Sequence, residues 1–178
     1  MTFDEFVPLA VKTESKARPL CLDIVDLGLT DRILHAFIGL ATEIDEYNAA
    51  IFNYDKVNAL EELGDMLWYL AILKDELDFS ILYYAPGDIT FNSDGLDLAK
   101  KTMFYGKELD LKKVGNYATE TYIKTLHHIM NLDTNPKDVM DTIIAKLKAR
   151  YGDKFTNTNA EQRDLDRERT ILEDGLSQ

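Results

Sequence analysis

The chain has 178 residues, a length that fits one compact domain able to bury its core without disulfides. Its 32 Asp and Glu residues outnumber its 20 Lys and Arg residues, and the net charge of −12 argues against a general binder of nucleic-acid phosphates. The single cysteine, Cys21, excludes an internal disulfide and a cysteine-based zinc site, so we expect a reducing, cytoplasmic location. The segment Met1–Ala10 has no basic residue and is not typical of a signal peptide, and no apolar run is long enough to span a membrane.

The first half of the chain is expected to be helical. A capping box that begins at Thr2 predicts a first helix running to about Lys12. Apolar residues at helical spacing predict a second helix over residues 30–52. A third helix is expected to begin after Asp55, which is a favourable N-cap, and to end before Pro86-Gly87.

The second half shows the same pattern, and no hairpin signal lies between alternating apolar runs. We predict a short helix over residues 96–105 and a longer one over 110–130. Asn135-Pro136 is an N-cap followed by proline at the first helical position, and that helix should end at Tyr151. The last helix, over 157–173, is charged on most faces, which is typical of a solvated outer layer or an oligomer arm.

Two pairs of acids on the second and third helices are the most informative feature. Glu43 and Glu46 are three residues apart, as are Glu62 and Asp65, and residues at this spacing share one helix face. If the two helices pack antiparallel over residues 30–84, four carboxylates face one cavity. Converging anions are tolerated when they are protonated, solvated or bound to cations. Because Mg²⁺ and Mn²⁺ prefer oxygen ligands, we predict a metal-binding helical hairpin in which these four acids are ligands and catalytic residues.

Each pair alone is also explained as exposed acids that serve solubility. The conjunction of the two pairs, separated by a short loop and placed within apolar segments, favours a site. Gly64 lies between the acids of the second pair, although glycine in a helix costs about 1 kcal/mol relative to alanine. We therefore expect another helix to approach closely at Gly64, and bulk there to push the two acidic pairs apart.

These residues resemble the MazG-like all-α nucleoside triphosphate pyrophosphohydrolases. That family is marked by E-x-x-E followed by E-x-x-D, which Glu43/Glu46 and Glu62/Asp65 match. The stretches that resemble the family are residues 39–46, 61–70, 145–151 and, as in its bacterial and phage-type members, 163–169.

The resemblance implies that residues 1–178 form a single MazG-like multi-helix bundle with an additional outer C-terminal helix, assembled as a dimer or tetramer. It implies hydrolysis of a nucleoside triphosphate between the α and β phosphates, with Mg²⁺ or Mn²⁺ as cofactor, and no nucleic-acid or membrane partner. The phage-type similarity favours a purine substrate, dGTP or GTP. Two alternatives stay open: a pyrimidine-specific enzyme acting on dUTP or dCTP, and a catalytically silent helical oligomer or adaptor.

Four further residues are candidates for substrate binding. Lys146 and Arg150 lie four apart on one helix face and match the K-x-x-x-R of the family, which implies phosphate contacts. The alternative is a pair of surface cations that interact with the C-terminal end of the helix dipole. Trp68 and Tyr151 are candidates to stack on a nucleobase, with a core position as the alternative.

The middle of the chain resembles a degenerate second copy of the helical hairpin over residues 96–131. In that interpretation its acids are lost except for Glu120. A chance similarity between amphipathic helices is the alternative.

Overall fold

The computed structural model describes residues 1–15, 22–81, 87–152, 155–156, 158 and 164–176. Its regular structure is helical, and no strand occurs in these residues, which confirms the predicted all-α class. A 3₁₀ turn, Val11–Thr13, continues the first helix. The described α-helices are α1 (Phe3–Ala10), α2 (Leu22–Asp26), α3 (Asp31–Phe52), α4 (Lys56–Leu77), α5 (Asp94–Tyr105), α6 (Leu111–Asn131), α7 (Pro136–Tyr151) and α8 (Leu165–Leu176).

Helix α4 lies at the centre of the bundle, because apolar residues occur on nearly all of its sides. It packs against α1, α3, α6, α7 and α8. The acids Glu62 and Asp65 therefore belong to the helix that is most enclosed by protein. The fully buried side chains of α4 include Leu60, Leu63, Met66, Leu67, Leu70 and Ile72.

The helix starts follow the capping signals of the sequence. The capping box of α1 is present: the Thr2 amide donates to Glu5 Oε2 at 2.7 Å, and the Glu5 amide donates to Thr2 Oγ1 at 3.3 Å. The side chains of Thr30, Asp55 and Asn135 accept hydrogen bonds from backbone amides at the starts of α3, α4 and α7. The predicted positions of these helices are thereby confirmed.

The C-terminal helix differs from the prediction over residues 157–173. Helix α8 begins at Leu165 and continues to Leu176, while residues 157 and 159–163 lie outside the described residues. It packs on α7 and α4 and buries Glu168, Leu172 and Leu176. Helix α8 is thus an outer helix, as predicted, but it is not solvated on all sides. The buried face includes a charged residue, Glu168, which the charge pattern of the sequence did not indicate.

The predicted hairpin over residues 30–84 corresponds to α3 and α4, with 82–84 outside the described part of the chain. Helices α5 and α6 occupy residues 96–131, and α5 begins two residues earlier, at Asp94. Their origin as a second copy stays a prediction. In the part of the chain that the structure describes, every helix is too short or too polar to cross a membrane.

Candidate active site

Three carboxyl groups meet between α3 and α4. The two helices pack antiparallel, and the loop of residues 53–55 places Glu43 of α3 opposite Glu62 and Asp65 of α4. One oxygen from each side chain lies within 4.8 Å of the others. Glu62 is buried, with 6% of its surface exposed, while Glu43 and Asp65 are half-buried. We call these three residues the acidic trio; their oxygen donors fit a hard divalent cation such as Mg²⁺ or Mn²⁺.

The environment of Glu43 and Glu62 disfavours negative charge. Burial, the neighbouring Asp65 carboxylate and a hydrogen bond with Glu62 raise the pKa of Glu43. Burial also raises the pKa of Glu62, and this effect outweighs its hydrogen bond with Glu43, which acts in the opposite direction. A divalent cation would remove this penalty, because it attracts the charged form of each carboxyl group.

Glu46, the fourth predicted ligand, lies outside the acidic trio. Its side chain is exposed, one helical turn beyond Glu43. It still acts on the trio through space, since its charge contributes to the raised pKa of Glu43 and of Glu62. The structure therefore brings together three of the four predicted acids and leaves Glu46 at the rim.

Lys146 extends from α7 into the acidic region of α4. Its Nζ donates to both carboxylate oxygens of Asp65, at 2.8 and 2.7 Å, and to Glu61 Oε1 at 3.1 Å. Only 1% of its surface is exposed. Burial alone would lower the pKa of Lys146, but the Asp65 and Glu61 carboxylates outweigh burial and raise it, so the side chain is charged. Lys146 was predicted to contact phosphate; in the structure its ammonium group binds the carboxylates of Asp65 and Glu61.

A cavity of about 190 Å³ opens beside the acidic trio. It is lined by the two trio members Glu43 and Asp65, together with most of the predicted substrate-binding residues. Trp68 forms one wall, and its Nε1 donates to the Ala10 carbonyl oxygen at 2.9 Å and to Thr13 Oγ1 at 3.1 Å. The remaining lining residues are Thr13, Ser15, His35, Tyr69, Leu147, Arg150, Tyr151 and Phe155.

One ring of the aromatic wall of the cavity packs directly against a glycine of α3. A Cβ atom on Gly39 would lie 2.1 Å from the ring of Tyr69, so only glycine admits this ring. The His35 ring makes edge contacts with Trp68 and Tyr69, at centroid distances of 5.9 and 5.4 Å. Burial lowers the pKa of His35, which favours its neutral form. The wall therefore offers flat, mostly uncharged surfaces of the kind that stack on a nucleobase.

Arg150 lines the same cavity and is held by α8. Its Nε donates to Glu168 Oε1 at 2.9 Å, and its Nη2 donates to Glu168 Oε2, which gives a two-bond ion pair. The guanidinium also lies over the ring of Tyr151, 5.6 Å from its centroid. Arg150 is thus fixed at the edge of the cavity and is not a free surface cation.

The close helix approach predicted at Gly64 is confirmed, and the approaching helix is α7. A Cβ atom on Gly64 would lie 2.3 Å from Ile143 Cγ1 and 3.1 Å from Val139 Cγ1, both on α7. The glycine lets α7 approach α4, and this contact places Lys146 beside Asp65. The three atoms nearest to this Cβ position all belong to α7, so bulk at Gly64 would displace α7 and would not, as expected, push the two acidic pairs apart directly.

Several residues of the site were missed by sequence reasoning. Glu61 precedes the E-x-x-D pair and carries no signal of its own, although it binds Lys146. Glu168 lies in a run of charges, and only the apolar spacing of Leu172 and Leu176 could have indicated that it faces inward. His35 follows the helical spacing of Gly39 and Glu43 on α3, and Tyr69 lies one turn after Asp65 on α4. Gly39 was the available signal for a ring packed against α3.

Comparison of the chain with family models, with curated proteins and with solved structures gave no significant match. The function of the chain is therefore inferred from its residues and from their geometry.

Proposed function

We propose that the protein is a metal-dependent hydrolase of nucleoside triphosphates that releases pyrophosphate. The observation that supports this proposal is the convergence of Glu43, Glu62 and Asp65 beside a cavity with aromatic walls and an arginine. A triphosphate is strongly anionic, and an acidic site can bind it only when cations lie between the two. The MazG-like motifs in the sequence point to the same reaction.

The acidic trio would hold the Mg²⁺ or Mn²⁺. Such an ion supplies charge neutralisation at phosphate oxygens and lowers the pKa of a bound water. The chain itself would contribute a carboxylate of the acidic trio that accepts the proton of the attacking water. Arg150 would contact phosphate oxygens at the edge of the cavity through an N–H group that its two-bond ion pair with Glu168 does not use.

The aromatic residues would receive the base. Trp68, Tyr69 and Tyr151 line a cavity of about 190 Å³, which is smaller than the roughly 300–1,000 Å³ typical of sites that enclose a ligand. The cavity thus takes part of a nucleotide and leaves the rest outside this chain. A homodimer or homotetramer, in which a second copy covers the rest of the nucleotide, is therefore part of the proposal. The proposal also includes a cytoplasmic location, expected from the single cysteine, and a purine preference, expected from the phage-type similarity.

A pyrophosphate-release assay tests the proposal. The purified chain is incubated with each common ribonucleoside and deoxyribonucleoside triphosphate in Mg²⁺, in Mn²⁺ and in EDTA. We expect metal-dependent release of pyrophosphate and a nucleoside monophosphate, with dGTP or GTP preferred. Turnover of dUTP or dCTP alone would favour the pyrimidine alternative. A folded protein that releases no pyrophosphate from any nucleotide would contradict the proposal and favour the silent oligomer or adaptor.

A further inference from the structure

Lys146 occupies a position that a phosphate contact does not explain. Its Nζ lies within 3.1 Å of Glu61 and within 2.8 Å of Asp65, and it is not among the residues that line the cavity. A side chain with only 1% of its surface exposed presents no donor to a ligand in that cavity. Its contacts instead place it behind Asp65, on the side that faces α7.

Burying an ammonium group is costly unless it is paired and fully hydrogen-bonded. Lys146 meets this condition with three donor contacts to two carboxylates. In the described part of the chain, no buried side-chain nitrogen or oxygen is without a hydrogen-bond partner. Lys146 is therefore a buried cation with a complete set of hydrogen-bond partners, and it is not a surface lysine.

The charges around Lys146 are unbalanced. The three members of the acidic trio and Glu61 bring four carboxyl groups together, and Lys146 contacts two of them, Asp65 and Glu61. Like charges at this separation repel strongly when they are shielded from water. A cation that stays in place when no metal is bound would limit this repulsion.

We propose that Lys146 is a positioning residue that acts as the internal counter-ion of the acidic site. It holds Asp65 toward α7, stabilises the folded chain before metal binds, and limits the affinity of the site for divalent cations. The last of these effects rests on the proposed metal site, whereas the first two concern the folded chain alone.

The proposal predicts opposite effects of one substitution on stability and on metal affinity. In Lys146→Met the stem volume is nearly kept and the charge is lost. Without metal, the uncompensated carboxylates should lower the melting temperature by about 10 °C, as expected when one partner of a buried ion pair is removed from a chain of this size. With Mn²⁺, the more negative site should bind about tenfold more tightly or better, because a repelling charge a few ångströms away is gone.

A charge-balanced variant separates this effect from packing. Glu61→Gln combined with Lys146→Met removes one negative and one positive charge from the same contact. If Lys146 acts through its charge, the double variant should recover more than half of the lost melting temperature in EDTA. Its Mn²⁺ affinity should return to within about threefold of the wild-type value. If Lys146 only fills space, the added Glu61→Gln change should recover neither property.

Lys124 offers a matched control. It is also buried, at 4% exposure, and its Nζ contacts Glu120 Oε1 and the Thr90 carbonyl oxygen, each at 2.6 Å. This ion pair involves no member of the acidic trio. Lys124→Met should lower the melting temperature without changing Mn²⁺ affinity.

The experiment measures Mn²⁺ binding by calorimetry, without nucleotide, and melting in EDTA for the wild type and these three variants. Unchanged or weaker Mn²⁺ binding by folded Lys146→Met would overturn the proposal. If Lys146→Met does not fold, the double variant decides: folding with near-wild-type affinity supports the counter-ion role, and failure to fold overturns it. If the wild type binds no Mn²⁺, the proposed function fails, and recovery of the melting temperature by the double variant alone decides the role of Lys146.

Discussion

The two helical pairs of this chain use their acids in opposite ways. In the pair α5–α6, Asp97 is half-buried and forms ion pairs with Lys100 and Lys101, and these hydrogen bonds lower its pKa to about 2. In the pair α3–α4, Glu43 and Glu62 face each other across a helix contact, and burial raises the pKa of both. The difference shows that the number of acids on a helix says little about a site. What matters is whether a second helix covers them.

The first prediction concerns Glu43 and has the largest expected effect, a loss of turnover. Glu43→Gln should reduce metal-dependent turnover by about 100-fold or more, because the loss of a ligand costs at least as much as the loss of a residue that supports one. Without metal, the same change should raise the melting temperature, because it removes a carboxyl group whose charge is disfavoured. Steady-state kinetics at saturating metal and melting in EDTA measure the two effects.

The control comes from the other helical pair. Asp97→Asn removes an acid that is paired with lysines of its own helix, and it should leave turnover unchanged. Glu46→Gln should have an intermediate effect, since Glu46 acts on the acidic trio only through space. Wild-type turnover in Glu43→Gln would refute the site assignment, and a hundredfold loss in Glu46→Gln would place the fourth acid among the ligands after all.

The second prediction compares one glycine from each helical pair. Gly64→Ala should destabilise the fold by about 1–2 kcal/mol, because its Cβ atom would lie 2.3 Å from Ile143 Cγ1 and the overpacking outweighs the gain in helix propensity. Gly115→Ala, on α6, meets Phe79 Cβ at an ordinary 3.6 Å and should stabilise by about 0.5–1 kcal/mol. Urea unfolding of both variants gives the values. A stabilised Gly64→Ala would mean that α7 does not approach α4 as described.

The third prediction concerns Arg150, which lines the cavity and binds Glu168 of α8. Arg150→Ala should lower kcat/KM by about tenfold, since a charge-assisted hydrogen bond contributes roughly 1.5–3 kcal/mol. Arg150→Lys should recover only part of this loss, because an ammonium group lacks the planar array of donors that can bind Glu168 and a phosphate oxygen together. Mn²⁺ affinity without nucleotide should hardly change, since Arg150 binds Glu168 and not the acidic trio. If kcat/KM is unaffected and only the melting temperature falls, Arg150 serves the packing of α8 alone.

The last prediction is a pH dependence of stability in EDTA. The pKa values of Glu43 and Glu62 are raised above their ordinary value of 4.5, so the folded chain binds more protons than the unfolded chain. Their contribution is fully present below about pH 4.5 and is lost as the pH rises through the raised values. The free energy of unfolding should accordingly fall between about pH 4.5 and pH 9, and less steeply in Glu43→Gln. Urea titrations across this range measure the slope, and an equal slope in both proteins would contradict the assignment.

Local signals made most of the helices predictable. Thr2, Thr30, Asp55 and Asn135 cap their helices as their sequence context indicates, because a cap depends on the next three residues alone. The pairing of Glu43 with Glu62 and Asp65 was also within reach, since a short loop joins the two helices.

Contacts between distant segments were not predictable in the same way. Lys146 lies 81 residues from Asp65, and the sequence pattern that placed it on one face with Arg150 could not show which neighbour covers that face. Glu168 lies 18 residues from Arg150, in a segment whose composition indicates a solvated helix. In both cases the deciding fact is the packing of α7 and α8 on α4, which depends on apolar shape and not on charge.

The position of Trp68 has an optical consequence. It is the only tryptophan in the sequence, and it lines the cavity. Its indole N–H donates hydrogen bonds to the Ala10 carbonyl oxygen and to Thr13 Oγ1. Excitation that selects indole therefore reports on this one place, where the N-terminal segment meets the cavity. A ligand that enters should shield Trp68 from quenchers, whereas release of the N-terminal segment should expose it and shift its emission to the red. The protein thus contains its own fluorescent reporter for distinguishing occupancy of the cavity from loosening of its wall.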